Sequence, residues 1–271
     1  MTTEAIITDP KTGGQKASKL AVAPTGGLRP FFTFYGGKWR AAPFCDPPVH
    51  DTIVEPFAGS AGYSLRYPSR KVVLVERDPL IAATWRYLLR VSRAEVLGLP
   101  DIQMGQTVMD LPVCEEARLL IGWWLNGGSA QPKKSPGSWM RRKIENGGAG
   151  WTTGSGQLSW GGRVRARIAG QLDAIRHWTL IEGSYESAPA IKATWFIDPP
   201  YQVAGKHYRF GPSGLNYTAL GTWSVGRQGQ VMVFENVGSS WLPFRPWRQI
   251  KASEARHGGK VSNEAIWTNN P

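Results

Sequence analysis

The stretch TIVEPFAGSAGYSLRYPSRKVVLVERDP, residues 52–79, places a turn of small residues between two short apolar segments. Residues 52–54 and 71–76 are rich in β-branched side chains, which predicts two buried strands. A helix should follow the second strand over residues 79–93, with Asp78 available as its N-terminal cap. Strand, glycine turn, strand and helix in this order favour an α/β fold.

The rest of the chain continues this alternation of strands and helices. Helical patterns are expected over residues 115–125 and 163–178. Strand composition recurs at residues 178–182, 193–197, 231–234, 248–252 and 265–268. Because helices separate the strands, we predict one mostly parallel sheet with helices on both faces, a Rossmann-like arrangement.

Length and charge limit the domain organisation and the kinds of partner that we expect. A chain of 271 residues can form one domain that carries a large insertion. Its 32 Lys and Arg residues against 20 Asp and Glu residues give a formal charge of +12. Such an excess favours a polyanionic partner, nucleic acid above all, although a solvated basic surface has the same composition.

The sequence shows no sign of secretion, membrane insertion or metal binding. Its first thirty residues lack the apolar run of a signal peptide, and no segment approaches the ~20 apolar residues that span a bilayer. Cys45 and Cys114 lack the paired spacing of a zinc site, so we interpret both as buried, reduced thiols. We therefore predict a cytoplasmic protein that binds neither a metal nor a membrane.

Composition divides the chain into three regions. Residues 1–29, rich in Thr, Lys, Gly and Pro, are interpreted as a flexible leader. Residues 30–125 and 168–271 carry the strands and helices of the main domain. Residues 126–167 lie between them and form a smaller predicted insertion.

The tetrapeptide Asp198-Pro199-Pro200-Tyr201 directly follows the apolar strand at residues 193–197. Open α/β sheets bind ligands at the carboxyl ends of their strands. Two consecutive prolines remove two backbone N–H donors, so the loop offers carbonyl oxygens and the Asp198 carboxylate as acceptors. This pattern predicts a pocket for an amino group, with Tyr201 stacking on the base that carries it. The alternative interpretation is an ordinary strand-ending turn with an exposed tyrosine.

A second candidate site is the turn after the first strand. Small residues there let a ligand approach the backbone, and the preceding Glu55 could bind an ammonium group. About twenty residues later stand Glu76 and Asp78, where an acid binds the two hydroxyls of a ribose in a βαβ unit. The glycine spacing is not G-x-G-x-x-G, which argues against a dinucleotide. The alternative is a glycine turn beside a helix cap.

Together these motifs resemble those of the Dam-like DNA adenine methyltransferases, whose cofactor motifs come first, recognition region next and catalytic tetrapeptide last. DPPY at residues 198–201 matches the catalytic motif of that family. FYGGKW at residues 34–39 and EPFAGSAG at residues 55–62 resemble its cofactor motifs. GSY at residues 183–185 resembles the motif that flanks the cofactor's adenine, and the resemblance covers most of residues 31–271.

The resemblance implies a class I methyltransferase fold, S-adenosylmethionine as the methyl donor and S-adenosylhomocysteine as the product. It implies that residues 198–201 act on N6 of an adenine flipped out of double-stranded DNA. The cofactor-binding residues are then Tyr35, Gly36, Gly37, Lys38, Glu55, Phe57, Ala58, Gly59, Ser60, Glu76, Asp78, Ser184, Tyr185 and Asp198. For the ribose, Glu76 ranks ahead of Asp78. One departure from the family is the lack of a long amphipathic helix between residues 201 and 231.

The predicted insertion has the composition of a DNA-reading region. From residue 131 to residue 167, eight Lys and Arg residues face a single acid, Glu145, and tryptophans and glycines lie between them. This mixture suits phosphate contacts, base-edge hydrogen bonds and aromatic wedging beside a flipped nucleotide. The predicted DNA-binding residues are Lys133, Lys134, Trp139, Arg141, Arg142, Lys143, Trp151, Trp160, Arg163, Arg165 and Arg167. A solvated glycine-rich loop with some tryptophans in the core is the alternative.

Several alternatives remain open at this point. The same acceptor pocket would serve cytosine N4, guanine N2 or an RNA substrate, and a DNA-binding protein could retain the fold without catalysis. A DNA partner implies a cytoplasmic, nucleoid-associated location. The recognition sequence, a homodimeric state and a restriction endonuclease partner stay undetermined.

Overall fold

A computed structural model describes residues 27–145, 159–251 and 261–269. Within them lies a seven-stranded sheet with the order β3-β2-β1-β4-β5-β7-β6. The strands are β1 Thr52–Glu55, β2 Lys71–Glu76, β3 Thr179–Glu182, β4 Ala193–Ile197, β5 Gly229–Asn236, β6 Arg245–Lys251 and β7 Val261–Thr268. Strands β1 to β5 run parallel, whereas β7 is antiparallel to both β5 and β6. The predicted α/β fold with a mostly parallel sheet is confirmed.

The sheet is covered on both faces, and β4 shows why. All five residues of β4 are buried, because it lies between β1 and β5 and its side chains alternate between two hydrophobic cores. Phe196 joins the core that contains Trp85 and Trp123, whereas Trp195 joins the core that contains Leu220. A continuous apolar strand is therefore the sequence signature of the central position.

Six α-helices occur in the described part of the chain. They are α1 Pro79–Arg90, α2 Arg93–Gly98, α3 Glu115–Trp124, α4 Ser138–Glu145, α5 Gly162–Gln171 and α6 Tyr217–Val225. The Asp78 side chain accepts a hydrogen bond from the Leu80 N–H and so caps α1, as the sequence predicts. The cap places the start of α1 directly after β2, beside the sheet's carboxyl edge.

Some predicted details were wrong. The helix predicted over residues 79–93 ends at Arg90, because the Ser92 side chain accepts from the Glu95 N–H and begins α2. Cys45 is buried as predicted, but Cys114 is exposed, since it precedes the first turn of α3. These differences lie away from the carboxyl edge of the sheet.

The C-terminal parts of the predicted insertion and of the predicted leader contact the main body. Trp160 is fully buried and donates a hydrogen bond to the Pro100 carbonyl oxygen at 2.9 Å. The core-facing stripe of α5 and the turn after it is also present, with Val164, Ile168, Leu172 and Ile175 all buried. Leu28 donates its N–H to the Leu65 carbonyl oxygen at 2.7 Å, and residues 1–26 of the predicted leader lie outside the described residues.

No helix in the described ranges combines the length and the apolar character that a bilayer span requires.

Candidate functional site

The order in which the chain adds strands to the sheet reverses between β1 and β4. From β1 the chain adds β2 and then β3 on one side, while β4 pairs with the other side of β1 and is followed by β5. Open α/β sheets bind ligands in the crevice outside such a switch point. Glu55 ends β1 and Asp198 follows β4, so both carboxylates stand at this crevice.

A cavity of about 380 Å³ occupies the crevice. This volume lies in the range of about 300–1,000 Å³ that small-molecule sites have. All of the predicted cofactor-binding residues except Tyr35 line it, and Pro200 lines it as well. The cavity therefore connects the glycine turn after β1 with the tetrapeptide after β4.

Two side chains from other parts of the chain hold the glycine turn through hydrogen bonds to the backbone of Gly59. Gly59 has a φ of 47°, which favours glycine, and its N–H donates to Glu76 Oε2 at 2.9 Å. Its carbonyl oxygen accepts from the Trp85 indole at 2.8 Å. Glu76 Oε1 in turn accepts from the Asp78 N–H at 2.8 Å. The side chain of Glu76, the last residue of β2, is thereby bonded both to the glycine turn and to the Asp78 backbone.

Two cavity carboxyl groups have strongly raised pKa values. Burial raises the pKa of Glu55 to about 8, against the lowering effect of the Ser64 N–H, which donates to its Oε1 at 2.7 Å. Burial likewise raises the pKa of Glu76 to about 7, although the N–H groups of Asp78 and Gly59 lower it. Near pH 7 these two groups therefore sit close to their titration points.

Lys38 forms an ion pair with the carboxylate of the tetrapeptide at residues 198–201. Its ammonium Nζ lies 2.9 Å from Asp198 Oδ1 and 3.6 Å from Glu264 Oε1. Lys38 is only 7% exposed, and its ammonium lies 4.8 Å from the centre of the Tyr201 ring. Burial opposes its charge, but the facing Asp198 carboxylate, Tyr201 and Glu264 outweigh this effect and hold the pKa of Lys38 well above its usual value.

Two predicted residues of this cluster have partners that the sequence does not show. Tyr201, predicted to stack on a base, is 8% exposed and lies against the Lys38 ammonium. Lys38, predicted as a cofactor contact, lines the cavity and also forms ion pairs with Asp198 and Glu264. The sequence analysis missed Glu264, whose only signal was an acid in the middle of the strand-like segment SNEAIW.

One wall of the cavity is aromatic. The Phe57 and Tyr185 rings stack at 5.6 Å between centres with 25° between their planes. Ser184, the residue before Tyr185, also lines the cavity. The motif at residues 183–185 therefore does reach the site, beside the glycine turn.

A loop after the tetrapeptide covers the cavity and was not predicted. Its Tyr208 hydroxyl donates to the Tyr35 carbonyl oxygen at 3.1 Å, which ties the loop to the segment that carries Lys38. Gly36 has a φ of 74°, and a Cβ there would lie 2.1 Å from the Tyr208 hydroxyl oxygen. Only glycine fits this approach. Arg209 and Phe210 of the same loop line the cavity at its far end.

The predicted DNA-binding residues separate into two groups. Lys133, Lys134, Arg141, Arg142 and Arg163 are exposed. Ala130, just before them, lines the cavity, so the basic segment starts at its rim. The side chains of Trp139 and Lys143, and the whole of Trp151, lie outside the described residues.

The other group is engaged within the protein, which corrects the prediction. Trp160 is buried, so its ring is not available to a nucleic acid. Arg165 forms an ion pair with Asp101. Arg167 donates to the Pro30 carbonyl oxygen at 3.3 Å and lies over the Trp124 ring, and burial lowers its pKa to about 10. These arginines hold α5 against the domain.

Fold and site together define an α/β protein with a ligand-sized cavity at the switch point of its sheet. Among its described lining residues are five acidic and three basic side chains. A scan of protein-family models finds no match to this chain, and neither does a search of curated proteins. Within the described ranges, no group of three or more His, Cys, Asp or Glu side chains is placed to hold a metal ion.

Proposed function

We propose that the chain is an S-adenosylmethionine-dependent DNA methyltransferase that methylates N6 of adenine. One observation carries the proposal: a single cavity joins the acceptor-rich tetrapeptide at Asp198 to the glycine turn at Gly59 and the acid at Glu76. A methyl transferase of this kind needs the amino group and the methyl donor side by side, and these two motifs supply one binding element for each.

The cavity residues fit the proposed cofactor. Glu76 and Asp78 lie at the end of β2, where hydroxyls of a ribose would be bound, and Ser184 and Tyr185 border the adjoining wall. Glu55, at the carboxyl end of the neighbouring strand β1, suits the ammonium of a methionine moiety. When bound, S-adenosylmethionine supplies an electrophilic methyl group on a positively charged sulfur.

The tetrapeptide would bind and orient the amino group. The exocyclic nitrogen of adenine is a poor nucleophile because its lone pair is delocalised into the ring. Asp198 and the Pro199 carbonyl are acceptors that would favour a tetrahedral nitrogen and stabilise the positive charge that grows on it. The Pro200 carbonyl is already engaged, since it accepts from the Tyr217 hydroxyl at 2.5 Å, and this bond fixes the loop.

A basic surface next to the cavity supports a nucleic-acid substrate. Exposed lysines and arginines follow Ala130, and they contribute to the formal charge of +12. The same acceptor geometry would also serve the amino groups of cytosine or guanine, so the identity of the methylated base is decided by experiment.

Nucleoside mass spectrometry tests the proposal. The purified protein is incubated with unmethylated plasmid DNA and methyl-labelled S-adenosylmethionine, and the DNA is digested to nucleosides. Label in N6-methyladenine is the expected result, and replacement of Asp198 by Ala should abolish it. Label found only in cytosine rejects the adenine assignment. Labelling of RNA alone rejects DNA as the substrate, and no labelling under any condition rejects the enzyme.

A further inference from the structure

The Lys38 ammonium lies between two buried carboxylates that come from distant parts of the chain. Asp198 follows β4, and Glu264 lies on β7, opposite Asn236 of β5. Their oxygens lie 2.9 Å and 3.6 Å from the ammonium nitrogen. Glu264 is buried, and nothing in the proposed chemistry uses it directly.

This arrangement conflicts with the work proposed for Asp198. In the proposed reaction its carboxylate accepts an N–H of the target amino group and stabilises the positive charge that grows there. Oδ2 can still accept the N–H, but the Lys38 ammonium on Oδ1 neutralises much of the negative charge that this stabilisation requires. Moving Lys38 to a place without a partner would leave a buried, unpaired charge, which is strongly unfavourable.

We infer that Glu264 is a positioning residue that takes the Lys38 ammonium from Asp198 when the target amino group binds. This inference rests on the proposed function. The ammonium already lies between the two carboxylates, at distances of 2.9 Å and 3.6 Å, so only a small shift exchanges its nearer partner. Lys38 then keeps a partner throughout, and the charge of Asp198 beside the amino group is no longer neutralised.

The charges favour this exchange during methyl transfer. One cation and two carboxylates give the ionised cluster a net negative charge. Once Lys38 and Glu264 neutralise each other, Asp198 keeps its full charge next to the nitrogen that becomes positive. The titratable groups that face Glu264 are Lys38, Asp198, Tyr201, Cys45 and Tyr208.

Steady-state kinetics with plasmid DNA test the inference. In Glu264→Gln the ammonium stays on Asp198, so kcat should fall on the order of tenfold, while KM for S-adenosylmethionine stays near its wild-type value. Glu264→Asp keeps the charge with a shorter reach and should give an intermediate kcat. A kcat of the Gln variant equal to that of the wild type overturns the inference.

The pH profile separates positioning from a merely structural role. Burial raises the pKa of Glu264 to about 6, although the nearby Lys38 lowers it, so wild-type kcat should rise as the pH increases through this value. Glu264→Gln should lack that rise. Glu235→Gln is the matched control: it removes a buried carboxylate from the adjacent strand β5 and should keep the rise. A rise that persists in Glu264→Gln also overturns the inference.

The outcomes distinguish this inference from the proposed function. A wild-type protein that methylates nothing refutes the proposed function. An active wild type with an unaffected Glu264→Gln variant refutes only the role of Glu264. Circular dichroism establishes that each variant is folded. If the Gln variant does not fold, a wild-type kcat in Glu264→Asp counts against the inference.

Discussion

Glu55 and Glu76 give the cavity a charge that depends on pH. Because burial raises their pKa values to about 8 and about 7, both gain negative charge as the pH rises through this range. Affinity for S-adenosylmethionine, whose sulfonium is cationic at every pH, should therefore increase from about pH 6 to about pH 8. Isothermal titration calorimetry at several pH values measures this change. Glu55→Gln should flatten the dependence, and an affinity that falls over the range contradicts the assignment.

Residue identities at the cavity were largely predictable, but their partners were not. Gly59 and Glu76 could be predicted as site residues, because short sequence motifs show where a turn needs glycine and where an acid follows a strand, and both residues do line the cavity. The pairing of Lys38 with Glu264 depends on two segments 226 residues apart meeting in the folded chain, which no local pattern encodes. The contact of the Lys38 ammonium with the Tyr201 ring also joins segments far apart in the chain and was not predicted either.

Helix α4 carries the prediction for DNA binding at the level of one element. Arg141 and Arg142 are exposed on it, and their joint replacement by Ala should weaken DNA binding and reduce the salt slope by about two units. Fluorescence anisotropy at several salt concentrations measures the slope. Arg90 and Arg93 form the matched control, since they are exposed and paired with Glu116 and Asp173. An equal loss in both double variants would mean that only total charge matters.

The segment before α5 carries an opposite prediction. Trp160 is fully buried, so Trp160→Ala should lower the free energy of unfolding by about 3–5 kcal/mol through the cavity it leaves. Urea denaturation measures this loss. Under conditions where the variant is folded, the salt slope of its DNA binding should equal that of the wild type. A changed slope with unchanged stability would restore Trp160 to the DNA interface.

Helix α4 and the segment before α5 show why composition alone gave a partly wrong prediction for residues 131–167. Tryptophan and arginine serve equally well in a DNA interface and in a core with ion pairs around it, and the counts do not distinguish these uses. The helical spacing of Val164 and Ile168 did distinguish them for α5, because it predicts a buried face. Trp160 lies just before that helix, where periodicity has too few residues to act as a signal.

At the scale of the whole molecule, the strands were predictable and their order only partly so. The helices between β2 and β3 and between β4 and β5 favour parallel neighbours, which accounts for part of the sheet. The insertion of β7 between β5 and β6 follows from antiparallel pairing of a short final hairpin, and strand composition does not show it. That insertion is what brings Glu264 to the site.

Buried carboxyl groups also make global stability depend on pH. The folded pKa of Glu55, about 8, lies above its ordinary value of 4.5, so the folded state binds more protons between these values. Its contribution to stability is fully present below about pH 4.5 and is lost as the pH rises through about 8. Urea denaturation at about pH 5 and about pH 8 should show a smaller difference for Glu55→Gln than for the wild type. An equal difference in both proteins would contradict the raised pKa.

The ion cluster of Lys38, Asp198 and Glu264 has a consequence for biosynthesis. A ribosome delivers residue 38 before residue 264, and β7 cannot enter its place between β5 and β6 before it has emerged. A nascent chain that already has its glycine turn and its tetrapeptide still lacks one counterion of the buried lysine. The ionic cluster is therefore completed only after β7 has been synthesised.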